Sequence, residues 1–117
     1  LPEYPGSSLA GLPPAELTAR SVFSAARRQD ELAGRVVAEA GRLMGLGVAN
    51  VISLVNPELV VLGGSIGRQP ELLPLVREVV ARWAQPASAN SVQILSSQLG
   101  ADAGLLGAAY AAWLRTA

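Results

Sequence analysis

From Thr18 onward, apolar positions alternate between two periods, and the changes of period divide the chain into helices and strands. Val22, Phe23, Ala25 and Ala26 follow helical spacing behind Thr18, whose side chain suits an N-cap, as far as Gln29 and Asp30. Asp30 is in turn placed to cap a second helix. There Leu32, Val36, Ala40, Leu43, Met44, Val48, Val51, Ile52 and Val55 recur every three or four residues, which predicts a helix over Glu31 to Val55. Asn56-Pro57 ends it, because proline disfavours the helical conformation of the preceding residue and brings no amide donor. Leu59-Val60-Val61-Leu62 is then an unbroken apolar run between Pro57-Glu58 and Gly63-Gly64, the pattern of a short strand buried on both faces.

A loop over Ser65 to Gln69 leads to a third helix, Glu71 to Trp83, with Leu72, Leu75, Val76, Val79, Val80 and Trp83 on one stripe. Pro74 is tolerable there only near the first turn, and Gln85-Pro86 stops the helix. Val92 to Leu95 is the second strand. Ala103 to Leu114 forms a last helix rich in small residues, carrying Leu105, Leu106, Ala109, Ala112 and Trp113. The predicted order is helix, helix, strand, helix, strand, helix, which points to a parallel α/β sheet. Two short strands make a thin sheet of marginal stability, so further strands are expected from outside the segment.

Residues 1–14 differ in kind. Pro2, Pro5, Gly6, Ser7, Ser8, Gly11, Pro13 and Pro14 keep a regular element from starting, which marks 1–14 as a linker or surface strap ahead of a domain over 15–117. The start, Leu1-Pro2-Glu3-Tyr4-Pro5, has no initiator Met and no basic and apolar leader, and reads as a cut end. Within the second helix, Gly34, Gly41, Gly45 and Gly47 each cost about 1 kcal/mol relative to Ala, so they predict a face approached by another backbone. Asn50, Asn56, Pro57 and Glu58 interrupt the apolar stretch Leu43 to Gly64, which argues against a membrane span.

Composition narrows the chemistry. The 117 residues hold 50% hydrophobic side chains, enough for a core and against disorder, and one domain or part of one. With no His and no Cys, thiol nucleophiles, imidazole bases, disulfides and the usual zinc sites are excluded. Nine arginines balance nine acidic residues, so no broad basic face is expected, and nucleic acid is not expected to bind through this segment. Asp30, Glu31, Glu58 and Asp102 lie near element ends, where capping or solvation accounts for them. Arg27, Arg28 and Arg42 read as solvated or paired with neighbours such as Glu31 and Glu39. Trp83, Trp113 and Phe23 read as core or interface packing.

One local pattern has a ligand-binding mechanism: strand, then Gly63-Gly64-Ser65, then helix, at the carboxyl end of a parallel strand, where open α/β sheets bind ligands. Glycines let a backbone approach a flat ring or ribose, and Ser65 offers a hydroxyl. By itself the pair is weak as a ligand signal, and a tight strand-to-loop turn without a ligand is the favoured reading of it alone. The pattern lacks the Lys-Ser/Thr of a Walker loop and the spacing of a dinucleotide fingerprint.

The order of motifs adds more than any one of them. Gly45-Leu46-Gly47-Val48-Ala49-Asn50, then Asn56-Pro57-Glu58-Leu59-Val60-Val61-Leu62-Gly63-Gly64-Ser65, resembles the ROK family of bacterial sugar kinases and transcriptional regulators. Leu99-Gly100-Ala101-Asp102-Ala103-Gly104-Leu105-Leu106-Gly107-Ala108-Ala109 looks like the family's closing motif, and Leu17 to Phe23 with Asp30 to Ala33 fits its preceding helix pair. The resemblance implies an actin-like ATPase (ribonuclease-H-like) fold, with this chain as the C-terminal part of its second lobe. Gly63, Gly64 and Ser65 then match the adenosine-binding turn for ATP or ADP. Gly104 and Gly107 match a helix packed closely where lobes connect.

The resemblance also implies that the family's phosphate loop, catalytic Asp, sugar-binding residues and His/Cys zinc cluster lie upstream of Leu1. Zinc and Mg then enter only through residues outside this chain, no catalytic residue is expected within it, activity by itself is not expected, and with half a cleft its own binding of ATP or ADP is expected to be weak or absent. Three expectations follow: part of a cytoplasmic glucokinase-like or fructokinase-like sugar kinase, the sugar-sensing and dimerising part of a regulator with an upstream winged helix, or a scaffold lobe with an unused turn. The Gly-rich second helix and Ala-rich last helix predict a homodimer or association with the remaining lobe.

Overall fold

The computed structural model describes residues 3–117. Helix α1 spans Ala19–Arg27 and α2 spans Glu31–Val55, separated by Gln29 in the left-handed region at φ 67°. Thr18 and Ser21 form a reciprocal capping box at the start of α1, and the Asp30 carboxylate accepts the Ala33 N–H at the start of α2. Asn56 closes α2 in the left-handed conformation at φ 48°, ahead of Pro57. Strand β1 is Leu59–Leu62 and β2 is Gln93–Ser96; they pair in parallel, Leu59 opposite Gln93 and Leu62 opposite Ser96. Between them lie α3, Gly64–Gly67, α4, Leu72–Trp83, and α5, Pro86–Ala89; α6, Ala103–Thr116, follows β2. Short 3-10 turns at Pro14–Glu16 and Gly100–Asp102 precede α1 and α6.

Helix α2 crosses α4 and β1 to build the main core, where Ala49, Ile52, Leu62, Val76, Val80, Ala84 and Ile94 are buried together. Phe23, Val37 and Leu72 join α1, α2 and α4 in a second cluster. Leu9 reaches from the turn-rich start to pack on Ala25 and Ala33. The hydroxyls of Ser7 and Ser8 and the Ser8 amide hold that start to the Asp30 carboxylate at 2.7–3.0 Å. Arg27 binds Glu71 at 2.6 Å, which ties the end of α1 to the start of α4.

Several sequence expectations change. The predicted strand Leu59 to Leu62 is not buried on both faces: Leu62 is buried, while Leu59 and Val61 are 49% and 53% exposed. Helices α2 and α4 pack on one face of the sheet, and Leu59, Val61 and Leu95 lie open on the other. Strand β2 starts one residue later than expected, at Gln93. The loop expected after Gly64 begins with the single turn of α3, and Pro86 both follows α4 and starts α5. Gly41 and Gly45 meet Leu75 and Val79 of α4, but Gly34 and Gly47 face open space, so only two of the four glycines serve close packing. Phe23 is core, as expected, whereas Trp83 and Trp113 are exposed and no residue of α6 is buried.

The Cα radius of gyration, 17.4 Å, exceeds the roughly 13 Å of a compact chain this long. The exposed α6 accords with that excess. Helix α2 has the length and hydropathy of a membrane span, but a long core helix meets the same description. Its Ala33, Val37, Gly41, Gly45, Ala49 and Ile52 form one buried stripe against its neighbours.

Candidate functional site

The backbone leaves β1 through Gly63, which remains extended at φ −112° and ψ −175°. It then turns at Gly64, where φ is +74°, a conformation strained for residues with a β-carbon. Gly67 packs α3 against the end of β1: a β-carbon there would lie 3.2 Å from the Leu62 carbonyl carbon. Two side chains hold this turn. Arg68 Nε donates to the Gly64 carbonyl at 3.1 Å, and Gln69 Nε2 donates to the Ser65 carbonyl at 2.9 Å.

The glycines divide by role. Gly64 is required by its own backbone, whereas nothing in the described chain requires glycine at 63: its φ suits any residue, and a β-carbon would meet nothing within 4 Å. Gly104 and Gly107 also face open space, so no close helix contact within this chain explains them.

Beside the turn, a cavity of about 360 Å³ lies between α1 and α3, lined by Thr18, Ala19, Arg20, Phe23, Ser65, Ile66, Arg68 and Gln69. Of the three residues singled out in the sequence, Ser65 lines this cavity. Gly63 and Gly64 precede it in the turn, and the Gly64 carbonyl orients Arg68. Sequence reasoning missed Arg20, Arg68 and Gln69. The four-residue spacing from Gly64 to Arg68 and from Ser65 to Gln69 is a helical signal legible in the sequence, but the approach of α1 to α3 is tertiary.

Most charged groups are already matched. Arg27 grips Glu71 and donates to Gln69 Oε1 at 2.7 Å; hydrogen bonding to Arg27 holds the Glu71 carboxyl below its ordinary pKa. Arg42 binds Glu39 at 2.7 Å, as its sequence spacing suggested, with the Glu39 pKa lowered by that bond. Arg27 instead finds Glu71, 44 residues away, and Arg28 donates to the Ser24 hydroxyl. Asp30 is a structural cap, with its pKa lowered to about 2, first by the Ala33 N–H and then by Ser8 and Ser7. Among the described residues, no three acidic side chains gather where they could hold a metal ion.

A parallel α/β layer with a glycine turn at the carboxyl end of its first strand is the class of site that this fold defines. The chain belongs to the ROK family, whose sequence profile matches residues 7–115. It is 38% identical to a glucokinase of Thermotoga maritima over 98 residues, which cover 82% of this chain and 31% of that protein. A solved structure from Cytophaga hutchinsonii assigned as a sugar kinase superposes with a TM-score of 0.77 at 29% identity, covering 92% of this chain and 35% of that one. A ROK family transcriptional regulator, a homologue of the E. coli MLC protein, gives 0.67 at 28% identity, covering 77% of this chain and 22% of that one. The chain thus spans about a third of the glucokinase's length. These neighbours support an actin-like ATPase-type fold.

Proposed function

We propose that the chain is the nucleotide-side, C-terminal portion of a ROK-type ATP-dependent sugar kinase, glucokinase-like or fructokinase-like. In this reading Gly63, Gly64 and Ser65 approach the adenosine of ATP or ADP, and the two strands belong to the second lobe of an actin-like ATPase fold. The observation that carries it is Gly63, a glycine that no contact or dihedral of its own chain requires, standing open at the end of a parallel strand. The likeness to a glucokinase and to a sugar kinase structure supports the same reading.

No catalytic role is assigned to a residue of this chain. A sugar kinase needs a general base beside the sugar hydroxyl, and that group is assigned to the remainder of the protein, with any zinc or Mg ligands. The protein works in the cytoplasm, where ATP is supplied, without a membrane and without nucleic acid bound through this segment. The exposed Leu59, Val61 and Leu95 and the apolar α6 provide a face for a second copy or for the other lobe.

The regulator structure favours a second reading, a sugar-sensing and dimerising portion that has no use for the nucleotide turn. Titrating the isotopically labelled chain with adenosine separates the two. The kinase reading expects amide shifts at Gly63, Gly64 and Ser65 that saturate in the millimolar range or below, and their loss in Gly63→Val. A spectrum unchanged by adenosine rejects it in favour of the regulator.

A further inference from the structure

Two apolar surfaces of the chain are left uncovered, and their chemistry matches. The first is the open face of the sheet, where Leu59 lies opposite Gln93 and Val61 opposite Leu95. A hollow of about 490 Å³ on this face is lined by Val61, Leu95, Ser96, Ser97, Gln98 and Leu99, without a charge. A parallel sheet is ordinarily covered on both faces, and here α2 and α4 cover one. The second surface is α6. From Ala103 to Leu114 it carries no charged residue, none of its residues is buried, and Leu106, Tyr110 and Trp113 share one stripe at helical spacing. A helix that is apolar all round belongs inside a core.

Helix α6 does not cover the sheet of its own chain. The Ser97 N–H donates to the Leu62 carbonyl at 2.9 Å, so the backbone stays beside β1 for one residue past β2. It then turns at Gly100, whose φ of +63° favours glycine, close to Arg68, whose Nη1 lies 3.8 Å from the position of a β-carbon on Gly100. Arg68 is itself fixed to the Gly64 carbonyl. The turn into α6 is thereby held next to α3, and Leu59, Val61 and Leu95 are left open.

We infer that α6 of one copy covers the open sheet face of a second copy, reciprocally, in a two-fold exchanged dimer, with Leu106, Tyr110 and Trp113 seated beside Val61 and Leu95. The available area suits this occupant. Leu59, Val61, Leu95 and Leu99 on the face and Leu106, Tyr110, Trp113 and Leu114 on the helix are each between 44% and 60% exposed. With about 150–200 Å² per large side chain they offer roughly 800 Å² per copy, which equals the ~800 Å² per partner of a standard interface. A one-way contact would bury half of this and leave a bare surface at each end, whereas the reciprocal exchange closes on itself.

The anchors fit the hollow chemically. Tyr110 and Trp113 stack with ring centroids 5.8 Å apart, and aromatic residues of this kind most often carry interface energy. Ser96, Ser97 and Gln98 at the rim offer acceptors for the Tyr110 hydroxyl and the Trp113 indole N–H. Trp83, the other exposed tryptophan, instead lines a cavity with Arg42, Glu78 and Arg82, where charges keep it at a solvated surface. The inference is independent of the adenosine reading, since neither surface includes Gly63, Gly64 or Ser65.

The test combines light scattering with cross-linking of the 117-residue chain, whose lack of cysteine makes single introduced cysteines unambiguous. The wild-type chain should show twice the mass of one chain at micromolar concentration. Trp113→Glu should weaken the dimer at least about tenfold, because it places a charge in an apolar contact, while Trp83→Glu should leave it unchanged. Circular dichroism of both variants checks that the helices remain. When Leu95→Cys and Leu106→Cys chains are mixed and treated with a short bis-maleimide, the main product should join one chain of each kind. A monomeric wild type overturns the inference, whether the double variant Leu95→Cys/Leu106→Cys cross-links within itself, which would fold α6 onto its own sheet, or forms no cross-link, which would leave the face to another part of the protein. A dimer broken by Trp83→Glu and not by Trp113→Glu also overturns it and moves the interface to α4. In each of these cases the adenosine titration is unaffected.

Discussion

A β-carbon placed on Gly45 would lie 2.6 Å from the Cβ of Val79, so α2 and α4 touch at a separation that only glycine permits. Gly41 stands in the same relation to Leu75, one helical turn earlier on both helices. The pair of glycines thus receives two side chains of α4 as ridges into a groove.

Gly45→Ala should destabilise the chain. The gain in helix propensity is about 1 kcal/mol and overpacking costs about 1–3 kcal/mol, so a net loss of up to about 2 kcal/mol is expected. Gly47→Ala, in open space on the same helix, should instead stabilise by up to about 1 kcal/mol. Urea denaturation followed by circular dichroism gives both numbers, and equal gains in the two variants would contradict the packing assigned to Gly45.

Ile52 is fully buried at the junction of α2, α4 and the sheet. Replacing it with Ala should cost about 2–5 kcal/mol, and with Val about 0.5–1.5 kcal/mol. A chain with ordinary stability of about 5–15 kcal/mol would register either change clearly. An Ile52→Ala midpoint equal to wild type would mean that α2 does not pack as described.

Asp30 gives the chain an acid dependence. Its folded pKa, about 2, is below the ordinary 3.8, so its stabilising contribution is present above pH 3.8 and is lost as the pH falls through about 2. Asp30→Ala should lower the denaturation midpoint at neutral pH, and the gap from wild type should narrow as the pH falls across that interval. Parallel melts over the same range test this; a gap independent of pH would assign the effect to something other than the carboxylate.

The two glycines of the turn should separate in their effects. Gly64→Ala carries a β-carbon into the left-handed region and should cost about 1 kcal/mol, while Gly63→Ala should leave stability within about 0.5 kcal/mol. Thermal melts of the two variants decide it. A large loss in Gly63→Ala would give that glycine a structural role and remove the observation on which the functional proposal rests.

Arg77 places two N–H groups on the Ile94 carbonyl, at 3.2 and 2.6 Å. Arg77→Ala should therefore cost about 1 kcal/mol, and Arg77→Lys less, since one donor can still reach. Urea midpoints of the two variants should fall in that order, and identical midpoints would remove the stabilising role given to this contact.

Local signals determined much of this fold. The period of three to four residues, with Asp30 before it and Asn56-Pro57 after it, marked α2 over its observed span, because a cap and a breaker act within a few residues of themselves. The same holds for β1, and for α6 apart from its last two residues, and the glycine turn was visible as a turn. The motif order also pointed to the ROK family, which the match over residues 7–115 bears out. What local pattern left open was which faces meet: the run Leu59 to Leu62 looks the same whether a sheet is covered on one side or two, and four glycines in one helix look alike until α4 lies against two of them. Only the tertiary structure brought α1 beside α3, paired Arg27 with Glu71 across 44 residues, and left Arg20 and Arg68 around one cavity without a carboxylate. Hydrogen bonds, charge pairing and cavities depend on distances between elements, and these are fixed by packing rather than by spacing along the chain.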